Sequence, residues 1–193
     1  MRRVAYTAIL AIPFALAAAA PAAAQTAPFT GAHVDGIIGW DRLQNNGHND
    51  DIMYGLNAGY DFGTRSGTIF GVEAEIADSN NKSCYGAETV ADPRVCAKAA
   101  RDIYVGGRIG KVITPRTMIY AKAGYTNARV KLTSDDGTGQ TTLGHSDLDG
   151  IRLGVGAEYA LSPNSFVKAE YRYSNYEKGF SRNQLLTGIG FRF

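Results

Sequence analysis

Apolar and polar residues alternate along most of the chain, in segments of about ten residues separated by polar stretches. In the segment 67–77, for example, Phe70 and Val72 fall on one face, while Glu73 and Glu75 fall on the other. Eight segments show this period of two: 31–41, 52–61, 67–77, 101–112, 117–131, 149–159, 165–175 and 184–193. The period is that of a β-strand, and ~10 residues is the length that a tilted strand needs to cross a membrane. The pattern therefore predicts an all-β fold of eight strands.

The connections between these segments alternate in length. Three are short and carry Gly or Pro turn signals, namely 62–66, 113–116 and 160–164. Four are longer and polar, namely 42–51, 78–100, 132–148 and 176–183. This alternation is typical of an eight-stranded antiparallel up-and-down transmembrane β-barrel with short periplasmic turns and long extracellular loops.

The alternation alone does not say which face points outward, because a soluble lipocalin-type barrel has the same period with its apolar side chains inside. Two features favour the membrane arrangement. Aromatic residues cluster toward strand ends on the apolar face, and the opposite face carries many glycines, which leave room for large charged neighbours in a narrow lumen. On a solvated surface, so many glycines would only weaken the strands. We predict membrane-interface aromatics at Trp40, Tyr60, Tyr125, Tyr159, Tyr171, Phe191 and Phe193.

The charges on the opposite face are balanced. Its six acids are Asp35, Glu73, Glu75, Asp102, Glu158 and Glu170, and its six bases are Arg108, Lys122, Arg152, Lys168, Arg172 and Arg192. Turned toward lipid, each Lys or Arg near the midplane would cost ~2–4 kcal/mol. We therefore expect these twelve side chains to form a matched ionic network in the lumen, with Tyr104 and Tyr120 packed against it. Since an eight-stranded barrel is only wide enough for its own side chains to fill it, a plug is favoured over a narrow pore.

The first residues have the pattern of a secretory signal peptide. Met1-Arg2-Arg3 is a short basic start, an Ala-rich apolar run follows, and 22–24 supplies the small residues of a cleavage site. We expect residues 1–24 to be removed, which leaves 25–193 as the outer-membrane β-barrel. A membrane-anchoring helix is the alternative; Pro13 and the lack of a basic stop-transfer cluster argue against it.

Charge and cysteine usage exclude some functions. The chain has 20 Lys and Arg against 18 Asp and Glu, and loss of Arg2 and Arg3 with the signal makes the remainder neutral, so we expect no nucleic-acid binding. Cys84 and Cys96 predict one disulfide in an exported protein. A metal site is disfavoured, because there is no CxxC and the three histidines, His33, His48 and His145, lie in separate segments. No cofactor is expected.

Four strands resemble a known family. The segments 119–125, 154–159 and 169–174 look like strand signatures of the outer-membrane β-barrel domain family, which includes OmpA-type membrane domains, opacity-like proteins and small "porin family" barrels. The segment 187–193 is similar to the C-terminal strand that the barrel-assembly machinery reads, and the resemblance makes Phe193 the assembly signal. It implies an eight-stranded barrel exported to the cell outer membrane, in contact with lipid and lipopolysaccharide. It does not imply one activity.

The residues at the positions where a catalytic site would be expected argue against an enzymatic function. Some similar barrels modify lipid A, and the deacylases among them carry a His and a Ser two residues apart on a late strand. The comparable stretch here has Arg172 and Ser174, so no general base is available to activate the serine. His145, Ser146 and Asp147 are consecutive, and a consecutive run does not create the geometry of a triad.

The sequence therefore favours a structural or surface protein of the outer membrane that contributes to envelope integrity through a charge-plugged barrel. One alternative is an adhesin or surface antigen that binds an extracellular ligand through its loops, above all through 78–100, which holds both cysteines. The other alternative is a narrow, low-conductance pore.

Overall fold

The computed structural model describes residues 29–44, 48–80, 82–87 and 89–193. The predicted signal peptide at 1–24 lies outside the described residues. Within them, no helix is both long and apolar enough to cross a membrane.

Nine strands account for most of the described chain. They are β1 Gly31–Gln44, β2 His48–Gly63, β3 Thr68–Ser79, β4 Lys82–Tyr85, β5 Arg94–Thr114, β6 Thr117–Asp135, β7 Gln140–Ala160, β8 Ser165–Tyr176 and β9 Ser181–Arg192. A single turn of 3-10 helix, Glu177–Gly179, joins β8 to β9.

Eight of these strands form a closed ring. Each pairs antiparallel with the next along the chain, except that β3 pairs with β5 and β4 is left outside the ring. The first and last strands close it, with Val34 opposite Phe191 and Trp40 opposite Leu185. Closure leaves every ring strand with two hydrogen-bonded neighbours, which is what a sheet needs in hydrocarbon. The predicted eight-stranded antiparallel barrel is confirmed.

The predicted long loops are wrong in part, because several strands run past the ends that the alternation indicated. β5 begins at Arg94 rather than at 101, and β6 and β7 extend to Asp135 and Gln140. The predicted loop 132–148 is therefore mostly a β-hairpin. Outside the membrane both faces of a strand meet water, so the apolar–polar alternation disappears although the backbone ladder continues.

The two faces of the ring differ sharply. Val72, Ile109 and Leu153 are 59%, 51% and 55% exposed, respectively, whereas Glu73, Arg108 and Arg152 are at most 4% exposed. The strand alternation is therefore apolar outside and charged inside, and this is the arrangement of a membrane barrel rather than of a soluble one.

Candidate functional site

The interior of the barrel is lined with buried charged side chains. All twelve residues predicted for the lumen are at most 4% exposed. Three further charged residues share the interior: Asp41, Asp61 and Arg182. Periodicity already placed Asp41 and Asp61 on the polar face, whereas Arg182 fell in a predicted connection that β9 absorbs. The described interior therefore holds eight carboxylates and seven Lys or Arg, together with His33, whose Nδ1 lies 3.3 Å from Asp61 Oδ2.

The group nearest the periplasmic turns joins four strands. Arg192 places its two terminal nitrogens 2.5 Å from Asp61 and 2.5 Å from Glu158. Arg108 also pairs with Asp61, and its Nη1 lies 3.4 Å from Glu158. The guanidinium groups of β5 and β9 are thus shared between the carboxylates of β2 and β7. This sharing limits the free-energy cost of burying the four charges.

Lys122 is the centre of the middle group. Its Nζ lies 2.8 Å from Glu73, 2.9 Å from Glu170 and 3.8 Å from Glu75. Elsewhere at this level, Lys168 Nζ lies 2.6 Å from Asp35. Lys122 is therefore the shared counter-ion of three carboxylates from β3 and β8.

The group nearest the extracellular side is a chain of arginines. Glu75 accepts two hydrogen bonds of 2.7 Å from Arg172 and lies 3.2 Å from Arg152. Asp102 Oδ2 lies 2.5 Å from Arg152 Nη2 and 2.9 Å from Arg182 Nη1. Arg182 also pairs with Asp41, with 2.5 Å between Nη2 and Oδ2, and this pair is the last of the series. Because Glu75 also faces Lys122, the middle and outer groups are continuous.

The two interior tyrosines pack against these charges. Lys122 Nζ lies 4.7 Å from the ring centre of Tyr104, and the guanidinium of Arg108 lies 5.2 Å from that of Tyr120, whose hydroxyl donates to Glu170 at 2.8 Å. Glycine makes the space for them: a Cβ at position 156 would lie 2.6 Å from Tyr120 Cζ. Tyrosine therefore fills the lumen between the charged groups.

The interior offers no activated nucleophile at the position compared with the lipid A deacylases. Ser174 is fully buried, and its Oγ accepts a hydrogen bond of 2.8 Å from Arg152 Nε. A guanidinium cannot take a proton from the hydroxyl. His145 lies apart from it, on the exposed part of β7.

The seven predicted interface aromatics all point outward. They are between 44% and 79% exposed, and they lie at two levels. Trp40, Tyr125 and Tyr171 lie toward the extracellular side, and Tyr60, Tyr159, Phe191 and Phe193 lie beside the periplasmic turns. Among the described residues, five more exposed aromatics were not in the predicted set: Tyr54, Phe62, Phe70 and Tyr173 on the ring, and Tyr85 outside it.

A disulfide-linked hairpin stands outside the ring on the extracellular side. Cys84 of β4 and Cys96 of β5 are directly paired in register and form a disulfide. Tyr85 and Val90 on this hairpin are 78% and 76% exposed. The bond therefore braces an exposed segment rather than the barrel wall.

We expect the double substitution Cys84→Ser/Cys96→Ser to open this hairpin without unfolding the ring. Loss of the cross-link removes a loop-closure term of about 3 kcal/mol, and it acts on β4 and on the first residues of β5, which extend beyond the ring. Limited proteolysis should cut the segment between the two strands much faster than in the parent protein, whereas the temperature at which the barrel loses its fast electrophoretic migration should stay the same. A lower transition temperature for the whole barrel would contradict this.

Comparisons with known proteins agree with this architecture. The family model of the outer membrane protein beta-barrel domain matches residues 10–193. The 31 kDa outer-membrane immunogenic protein of Brucella melitensis is 30% identical over 131 residues, which are 64% of this chain and 53% of that protein. The 22 kDa outer membrane protein of Rhizobium leguminosarum is 26% identical over 137 residues, which are 65% and 59% of the two chains. The chain thus spans little more than half the length of these curated relatives.

Two solved structures share the fold. The attachment invasion locus protein Ail of Yersinia pestis, crystallised with the heparin analogue sucrose octasulfate, has a TM-score of 0.59 at 18% identity, over 85% of this chain and 99% of Ail. Neisserial surface protein A has a TM-score of 0.57 at 16% identity, over 85% and 98%. With a family model that covers nearly the whole chain and a closed ring that is charged inside and apolar outside, this protein belongs to the outer membrane protein beta-barrel domain family.

Proposed function

We propose that this outer-membrane barrel is a structural surface protein, whose ion-paired interior closes the lumen and whose rigid wall supports the envelope. The observation that carries the proposal is the interior network, in which eight carboxylates are paired with seven Lys or Arg and His33. A pore would need a column of water along the axis, and in an eight-stranded barrel the side chains occupy that space.

The way in which the pairs cross the lumen supports a plug. Arg172 of β8 reaches Glu75 of β3, and Arg152 of β7 reaches the same carboxylate. Such pairs join strands from opposite sides of the ring, so opening a channel would separate charges that have no water to replace their partners. The network therefore favours a closed and mechanically stiff barrel.

In planar lipid bilayers, we expect the purified barrel to show no steady conductance. Ion pairs across the lumen leave no continuous path for ions, so current should stay at the level of a bilayer that contains no protein, at voltages where a large porin inserted as a positive control conducts. A stable, reproducible open state carried by every inserted barrel would contradict the plug and favour the narrow pore.

The envelope role has a separate test. A strain that lacks the gene should become more permeable to detergents and large antibiotics. The parent gene should restore the barrier, and so should a variant whose β4–β5 hairpin is shortened to a tight turn. Permeability that does not change on deletion would contradict the envelope role.

An adhesin or surface antigen is the second candidate. It is favoured by the braced hairpin, on which Tyr85 and Val90 are exposed. The Brucella relative is named an immunogenic protein, and the Ail structure contains a heparin analogue. If this candidate is right, binding of the purified barrel to host or matrix components should be lost when the segment 78–100 is deleted, while the electrophoretic migration of the folded barrel persists.

A further inference from the structure

Three lysines occupy directly paired positions on neighbouring strands at the extracellular end. Lys82 of β4 is the register partner of Lys98 of β5, and Lys98 is the partner of Lys131 of β6. His145 of β7 continues the same row opposite Lys131. Like charges that stand directly opposite each other on a sheet repel, so the pair Lys98 and Lys131 weakens the sheet unless an anion neutralises it.

Lys98 and Lys131 lie on the side of the sheet that faces the surrounding membrane. In β6, Tyr125, Arg129 and Lys131 are at alternating positions of one uninterrupted register with β7, so they share a face with the outward-pointing Tyr125. Six residues at about 3.3 Å each, tilted by about 40°, place Lys131 roughly 15 Å above the Tyr125 level. Lys98 and Lys131 are exposed.

On this face, Asp147 is already engaged in an ion pair. Arg129 donates hydrogen bonds of 2.7 and 3.0 Å to Asp147. The hydrogen bond from Arg129, helped by its charge and by the nearby His145 and Arg101, holds the pKa of the Asp147 carboxyl below its usual range. Within the ranges that the structure describes, no carboxylate lies within ion-pair distance of Lys98 or Lys131. Their charges are therefore open to an external anion.

We propose that Lys98 and Lys131 of this row bind the phosphate groups of lipopolysaccharide in the surrounding outer leaflet. Their sideways orientation favours a lipid-linked anion over a soluble one, because both lysines face the molecules packed around the barrel rather than the medium above it. Basic side chains at a membrane surface attract anionic headgroups in this way. A molecule that carries more than one phosphate can contact both lysines at once.

This inference deepens the envelope role proposed above, and the two can fail separately. A barrel that binds lipopolysaccharide could still be dispensable for the permeability barrier, and the deletion strain would show that. Conversely, a barrier defect could come from the barrel wall alone, in which case the binding measured with purified components would be absent.

The test is a titration of the purified barrel in zwitterionic detergent with phosphorylated rough-type lipopolysaccharide, with Kd as the readout. The variant Lys98→Gln/Lys131→Gln should bind about thirty-fold more weakly, since each lysine near an anionic surface contributes about a five-fold factor. Parent binding should weaken as salt is added, because exposed charges are screened. Dephosphorylated lipopolysaccharide should bind the parent about as weakly as the phosphorylated form binds the variant.

The matched control is Lys111→Gln/Arg116→Gln, which removes the same charge at the exposed periplasmic end. Its Kd should equal that of the parent, and the heat-dependent migration of all three proteins should agree, which shows that they are folded. Equal Kd values for the Lys98/Lys131 variant and the parent would overturn the proposal. So would a variant that loses binding of a soluble sulfated heparin fragment but keeps its affinity for lipopolysaccharide, since the row would then serve a soluble glycan.

Discussion

Replacement of Lys122 by Met should lower the free energy of unfolding by about 3–5 kcal/mol, the cost of leaving buried charge without its partner. Met matches the length of the side chain but cannot carry charge. The substitution affects Glu73 most, because among the described residues Lys122 is the only cation within 4 Å of its carboxylate. The measurement is urea unfolding of the barrel in lipid vesicles, followed by fluorescence of Trp40, the single tryptophan of the chain.

Two further variants make this result specific. Lys111→Met is the same chemical change at an exposed site, where it removes a hydrogen bond of 2.6 Å from Nζ to the Ser66 carbonyl, and it should unfold within about 1 kcal/mol of the parent. Lys122→Met/Glu73→Gln removes the stranded charge and should recover much of the loss, since Glu170 keeps the hydrogen bond from Tyr120 at 2.8 Å. If Lys122→Met were no less stable than Lys111→Met, the interior network could not be a main contributor to the stability of the barrel.

The ring could be predicted from the sequence because the membrane imposes two faces on each strand. Wherever hydrocarbon meets one side of a strand and the lumen meets the other, residues must alternate, as Val72 and Glu73 do. Above the membrane that requirement ends. The sequence therefore shows no regular apolar–polar alternation in the extension of β5 back to Arg94 or in the hairpin of β6 and β7. Arg182 was missed for the same reason, because it lies near the start of β9.

Periodicity predicted which side chains face inward, but it could not say which of them pair. Arg192 reaches Asp61 and Glu158, which lie on strands far apart in the chain. Such partners depend on the stagger of the strands around the closed ring, which the alternation does not contain. The same holds for the lysine row, whose three positions are separated in sequence and meet only through the register of β4, β5 and β6.

The last prediction compares two leucines of β7 that are equally exposed in the isolated chain. Leu153 lies in the middle part of the ring and is 55% exposed, and Leu143 lies on the extracellular extension and is 61% exposed. In a soluble protein, Leu→Arg at either position would meet water and cost little. In a membrane barrel, Leu153→Arg places a guanidinium among lipid tails.

Leu153→Arg should therefore destabilise the barrel by about 2–4 kcal/mol in lipid vesicles, whereas Leu143→Arg should stay close to the parent. The measurement is again urea unfolding followed by Trp40 fluorescence. The decrease in the free energy of unfolding caused by Leu153→Arg should be smaller in bilayers of shorter lipids, because the arginine then reaches the headgroups more easily. Equal effects at the two positions would mean that the apolar face of β7 does not meet hydrocarbon, and the membrane orientation of the strand would have to be abandoned.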